Sequence, residues 1–324
     1  MATTAQPGTD TSAIEMLLRD DLTHADQVMV HMGPILRHLL QNDDSSIFSD
    51  EIIARVRGML ADIARQLIEA IDKASDLGSP LAGKAEPAAR LAEMLGGSQA
   101  LLHHLHMLAV EWQLTEKLRV RIGLDPVLTP LLQDLIASAD PDVAARGINL
   151  LAAQARFGQC MRRMQIPLSE LPRDLHHIAM MTMQALIADD AAGLAVAGTA
   201  QAALRQNRST SVSRLDLLDH LTRQLGGDIP LALSPDRAGV ALFLTALAFG
   251  ASVSREMATM CTTESQMARL ALALCAAGSG RSGLLGAFSV IHPDVALPEA
   301  VESIVPDRAA AILASSLSSN GALA

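Results

Sequence analysis

Apolar residues recur at helical spacing along most of the chain. Ile14, Leu17, Leu18, Leu22, Ala25, Val28, Met29, Met32, Ile35, Leu36 and Leu39 keep the rhythm of one helix face, and Ser12 with Glu15 forms a capping box ahead of them. Gly33-Pro34 interrupts the run. Proline lacks a backbone donor and crowds the preceding turn, so a kink or break is expected near residue 33. After QNDDSS, Ser49 is placed to cap a second helix whose Ile52, Ile53, Val56, Leu60, Ile63, Leu67 and Ile71 form one stripe ending before Gly78 and Pro80. Two long helices with a short connection predict an antiparallel hairpin.

GSPLAGKAEP, from residue 78, reads as a loop and a boundary, and a further long helix is expected from about Ser98 to Arg121. Three proline-led helix starts follow at Asp125-Pro126, Thr129-Pro130 and Asp140-Pro141, each with a capping residue before a proline whose lost donor costs nothing at the first helical position. Residues 130–154, PLLQDLIASADPDVAARGINLLAAQ, resemble one unit of a HEAT-like helical repeat; the resemblance covers about 25 residues and implies hairpin stacking in the middle of the chain. RQNRSTSVSR, residues 205–214, is polar, basic and serine-rich, and predicts a flexible junction. Beyond it Ser213 with Asp216 opens a helix, and Ser234-Pro235 opens another containing AGVALFLTALAFGASVS, residues 238–254, without a charge. That stretch is short and weakly apolar for a bilayer, so a central core helix is expected.

The fold class expected is therefore all-α, a multi-helix bundle of about 11–14 helices. Its expected organisation is a disordered tail over 1–11, an acidic hairpin over 12–78, a central helical region over 79–204, the basic junction over 205–214, and a C-terminal helical region over 215–324.

Composition sharpens this picture. Aromatic residues make up 2% of the chain, with one Trp and no Tyr, while methionines number 15. Such an interior is filled by aliphatic chains and thioethers, which suit apposed helices, and few rings remain for stacking on bases or sugars. Net charge is −10, and residues 1–80 hold 13 acids against 6 bases. No long basic patch exists beyond Lys117, Arg119, Arg121, Arg162 and Arg163, which speaks against nucleic acid as partner. The opening residues lack a basic stretch followed by an apolar one, and Cys160, Cys261 and Cys275 form no disulfide framework. Reduced thiols in a cytoplasmic protein are expected, and membrane is not an expected partner.

Candidate chemistry is sparse. Gly278, Gly280 and Gly283 match GxGxxG, but TTESQMARLALALCAA before them predicts a helix opened by a Thr263/Gln266 capping box, and Asp294 comes too soon to hold a ribose. The loop is expected to join two helices, with Arg281 as a possible anion contact. His24, His31 and His38 recur every seven residues, about 10 Å apart on a helix, too far to share an ion; they are a candidate interaction row. His103 and His106 can face one ligand, and a metal there needs donors such as His176 and Met180. Asp20, Asp21 and Asp26 match loosely the magnesium motif of helical prenyl transferases, without the second aspartate-rich motif that chemistry needs. No GxSxG or HExxH occurs. The function expected is that of a non-enzymatic regulatory, adaptor or scaffold protein acting through a protein partner or a second copy, with no cofactor and no catalytic residue. The alternatives are a metal- or haem-binding bundle using His103, His106, His176 and Met180, and a membrane-peripheral protein using residues 238–254.

Overall fold

The computed structural model describes residues 7–41, 50–75, 85–187, 191–209, 212–295, 297, 301 and 304–320. The Ser49 cap, the Gly78 and Pro80 stop, most of the GSPLAGKAEP loop, and the first six residues of the expected tail lie outside the described residues, as do Asp189 and Asp190.

In chain order the helices are α1 (Pro7–Gln41), α2 (Asp50–Ala74), α3 (Ala85–Gly96), α4 (Gln99–Ile122), α5 (Pro130–Ile136), α6 (Pro141–Arg162), α7 (Arg173–Ile187), α8 (Ala191–Ser209), α9 (Arg214–Leu225), α10 (Ile229–Ala232), α11 (Pro235–Ala251), α12 (Arg255–Met260), α13 (Met267–Ala276), α14 (Arg281–Ile291) and α15 (Pro306–Asn320). Only α10 and α12 are shorter than seven residues, and no strand occurs among the described residues. The chain is all-α and multi-helical. It divides into two compact units: unit 1 is Met1–Met32, Gln113–Ile148 and Leu218–Ala324, and unit 2 is Gly33–Trp112 and Asn149–Leu217.

Unit 2 is organised by α2, which touches α3, α7 and α8. The stripe read from the sequence is its buried face: Ile52, Ile53, Val56, Leu60, Ile63, Leu67 and Ile71 are all inaccessible, each contributing about 1.5–3 kcal/mol on burial. The polar side of α2 holds the segment after α6. Asp62 accepts from the Ile166 amide at 3.1 Å, and the Gln66 side chain both donates to the Ile166 carbonyl at 2.7 Å and accepts from the Leu168 amide at 3.0 Å. Met164, in the left-handed region at φ 55°, packs so closely on Gly58 that a Cβ there would lie 2.5 Å from its own.

The core of unit 1 is α11, which touches α5, α10, α12, α13 and α14. Every residue from Ala238 to Ala248 is buried. The uncharged stretch 238–254 is thus a core element over residues 238–248, with Phe249 exposed and the helix ending at Ala251, and no described helix is long and apolar enough to cross a membrane. Gly239 breaks the helix at φ 73°, ψ 164°, and Thr129 fills the space a Cβ would need while donating to the Ala238 carbonyl at 3.0 Å. The same threonine caps α5 by accepting from the Leu132 amide.

Several start signals read from the sequence fall differently. Helix α1 begins at Pro7, upstream of Ser12, so Glu15 lies inside it and pairs with Arg308. It also continues through Pro34. Gly33 there sits against α4, its missing Cβ position 2.8 Å from Gln99 Nε2 and His103 Nε2, so close packing outweighs the lost backbone bond. Asp140 and Thr129 cap helices as expected, whereas Asp125 accepts from the Val127 and Leu128 amides and closes only a bend. Thr263 makes no side-chain cap, because its hydroxyl donates to the Met260 carbonyl and Gln266 is drawn into the core.

Candidate functional site

The N-terminal half of α1 belongs to unit 1 and is held there by polar contacts. Glu15 accepts from Arg308 Nε at 2.9 Å, Arg19 donates to Ser315 at 3.0 Å, and the Ala25 carbonyl accepts from Gln266 at 2.9 Å. Asp26 is buried against the guanidinium of Arg269, which also donates to Gln266 and Ser316 at 3.0 Å each. Asp26 therefore points inward while Asp20 and Asp21 point outward, which dissolves the three-aspartate arrangement seen in the sequence.

What α1 leaves outside is unusual for a helix so firmly held. Met16 and Leu17 are 70% and 63% exposed, and Val28 and Val30 nearly half. At about 100° per residue, Leu17, Asp21, His24, Val28 and His31 fall on one line of the solvent face. The Nδ1 atoms of His24 and His31 bond carbonyls one turn back, Asp20 at 3.3 Å and Gln27 at 2.7 Å, leaving Nε2 outward. His38 lies in unit 2, exposed, beside a small pocket of 260 Å³ shared with Pro34, Arg37 and Gln99.

Unit 2 holds His103, His104, His106, His176 and His177, while His220 and His292 lie in unit 1. His104 and His106 are buried, and His103 half-buried. Burial, then the charge of His103, pushes the pKa of His106 down to about 4, so its ring is a neutral core group. Met180 is buried on α7, one turn from His176. Among the described residues no three His, Cys, Asp or Glu side chains converge as metal ligands, so His103, His106 and His176 do not form a common ligand set.

The glycine loop joins two helices, as expected. Helix α13 ends at a cap on Ala277, Gly278 turns the chain at φ 81°, and Gly280 is the extended N-cap of α14. Arg281 opens α14 and is exposed.

Two buried arginines are paired with buried acids, and sequence reasoning passes over both. Arg269 is one. In unit 2, Arg214 donates to both carboxylate oxygens of Glu111, at 2.8 and 3.1 Å, and to Gln154 at 2.9 Å, while its guanidinium carbon lies 3.7 Å from the centre of the Phe157 ring. Both charged side chains are 2% exposed or less. The sequence places Arg214 in a flexible junction, yet its amide also donates to Glu170 and its side chain is among the most buried of the described residues. A usable signal existed: Glu111 and Arg269 each stand alone inside an apolar run, where a charge requires an opposite partner.

Unit 2 also contains an open groove of 340 Å³ between α2, α7, α8 and the turn Leu168–Glu170, with His176 in its wall.

No family model, curated protein or solved structure matches this chain. Its function has to be argued from these surfaces.

Proposed function

We propose that this is a non-enzymatic, cytoplasmic regulatory or adaptor protein that works through protein contacts, and that the outward face of α1 receives a basic amphipathic helix of its partner. The observation that carries the reading is the exposed line of Leu17, Asp21, His24, Val28 and His31, flanked by Asp20, with Met16 exposed further round the helix. Apolar anchors one to three turns apart suit a helix laid alongside, and the interspersed carboxylates select positive charge on it. The inner face is fixed by Arg269 and Arg308, so the outer face is presented without an ordering cost. The three thiols are free, and Cys261 and Cys275 are buried, in keeping with a reducing compartment.

The test places a photo-reactive residue at Val28 and, as control, at the exposed Asp142, and maps the crosslinked peptides by mass spectrometry. The reading expects a basic amphipathic helical peptide captured at position 28 and lost in a Leu17→Lys/Val28→Lys double variant whose helicity is unchanged. Equal capture at 28 and 142, or capture unaffected by the double variant, overturns it. A peptide of the same chain at position 28 would replace the basic partner with self-association.

A further inference from the structure

We propose that the groove of unit 2 is a binding site for a small organic anion with an aliphatic body. This goes beyond the protein-contact reading, which concerns unit 1, and each can fail without the other.

The groove volume, 340 Å³, lies at the small end of the range for ligand pockets. One wall is apolar and narrow-sided, built from Ala70 and Ala74 of α2, Leu168 of the turn and Leu204 of α8. Besides the imidazole of His176 no lining side chain carries an aromatic ring, so there is little for a nucleobase or sugar to stack on.

Charge is asymmetric. Lys73 and Arg208 line the groove, and the single lining acid, Glu69, is drawn to Arg65. Lys73 is exposed and makes no ion pair among the described residues. Arg208 is immobilised, because one of its nitrogens donates to the carbonyls of Ser169, at 3.0 Å, and Leu171. A cation fixed in advance loses little entropy when an anion arrives.

The deciding group is His176. It lines the groove and is 3% exposed. Burial, then Arg208, Arg205 and His177, holds its pKa below the ordinary value, so it meets a ligand as a neutral ring with one N–H to donate. Gln66, by contrast, is saturated by Asp62, Ile166 and Leu168 and serves as wall. An anionic oxygen between Lys73 and Arg208 would also accept from the His176 N–H in the groove wall, with the aliphatic body along Ala70, Ala74 and Leu204.

The test follows the His176 resonance by NMR of the full chain, labelled at histidine, during titration with hexanoate, hexyl phosphate, hexanol and hexylammonium. The expected result is a saturable shift of His176 with at least one of the two anions and none with hexanol or hexylammonium. Lys73→Glu, on an exposed side chain, should weaken that binding tenfold or more while leaving helicity unchanged. No saturable shift with either anion, equal binding by hexanol, or undiminished affinity in Lys73→Glu overturns the proposal. If inorganic phosphate binds as well as hexyl phosphate, the aliphatic part of the assignment is wrong.

Discussion

Replacing Glu111 by leucine should be among the most damaging single changes in unit 2. The side chain is 1% exposed and supplies both oxygens that face Arg214, so its loss leaves a guanidinium that is itself 2% exposed with only Gln154 and the Phe157 ring. Breaking a buried ion pair from one side costs about 3–5 kcal/mol, against roughly 0–1 kcal/mol for a pair in water. For a unit of about 150 residues that is a fall of roughly 6–20 °C in midpoint. Replacing both partners, Glu111→Leu with Arg214→Met, removes the uncompensated charge and should recover most of the loss, a coupling of about 2 kcal/mol or more. The assay is built in: Trp112, next in sequence, is buried edge-to-face with Phe157 at 6.2 Å and is the sole tryptophan of a chain without tyrosine. Its emission during guanidinium unfolding therefore reports on this neighbourhood. If Glu111→Leu costs less than about 1 kcal/mol, or the single losses simply add in the double variant, the pair is not coupled and the reasoning is wrong.

Other outcomes follow from the same structure. Asp26→Asn leaves the buried charge of Arg269 uncompensated and should cost about 3 kcal/mol, read as a roughly hundredfold loss of amide exchange protection over residues 14–32. Gly239→Ala places a methyl into Thr129 at a left-handed φ and should destabilise unit 1 by about 1–3 kcal/mol in chemical denaturation. The folded pKa of His106, about 4, lies below the ordinary 6.5, so between those values the unfolded chain binds the extra proton. Stability should then rise with pH across that window, by at most about 1.4 kcal/mol per unit, and fall on acidification; His106→Leu should flatten the slope in denaturation series at both ends. Burial pushes the thiols of Cys261 and Cys275 up to about 12 and about 11, so near pH 8 iodoacetamide should label the half-buried Cys160 first and the other two only on unfolding, as counted by intact mass.

The sequence announced the helices wherever one face was continuous. The stripe of α2, the core run of α11 and the helix–glycine–helix passage through Gly278 were all legible, because period and glycine conformation are local properties. Local signals misled where tertiary contacts compete for the same group: Gln266 bonds the Ala25 carbonyl instead of capping, and Gly33 packs on α4 where Pro34 alone suggested an interruption. The polar contacts that fasten each unit were not legible. Glu111 and Arg214 are 103 residues apart, and Asp26 and Arg269 are 243 apart, separations over which no periodicity carries information. His176 was singled out for metal chemistry, but the arginines that surround it come from α8, a helix whose alanine-rich sequence gave no hint of a site.

The separation of Asp26 from Arg269 also bears on how the chain is made. Every segment of unit 2 has been synthesised once Leu217 is translated, whereas α1 waits for α13 and α15 to meet its polar partners. At ribosomal speeds of about 5–20 residues per second, the remaining hundred or so residues take roughly 5–20 s. During that interval Glu15, Arg19 and Asp26 lack the partners they meet in the folded chain, and premature termination anywhere before Arg269 would leave them so permanently.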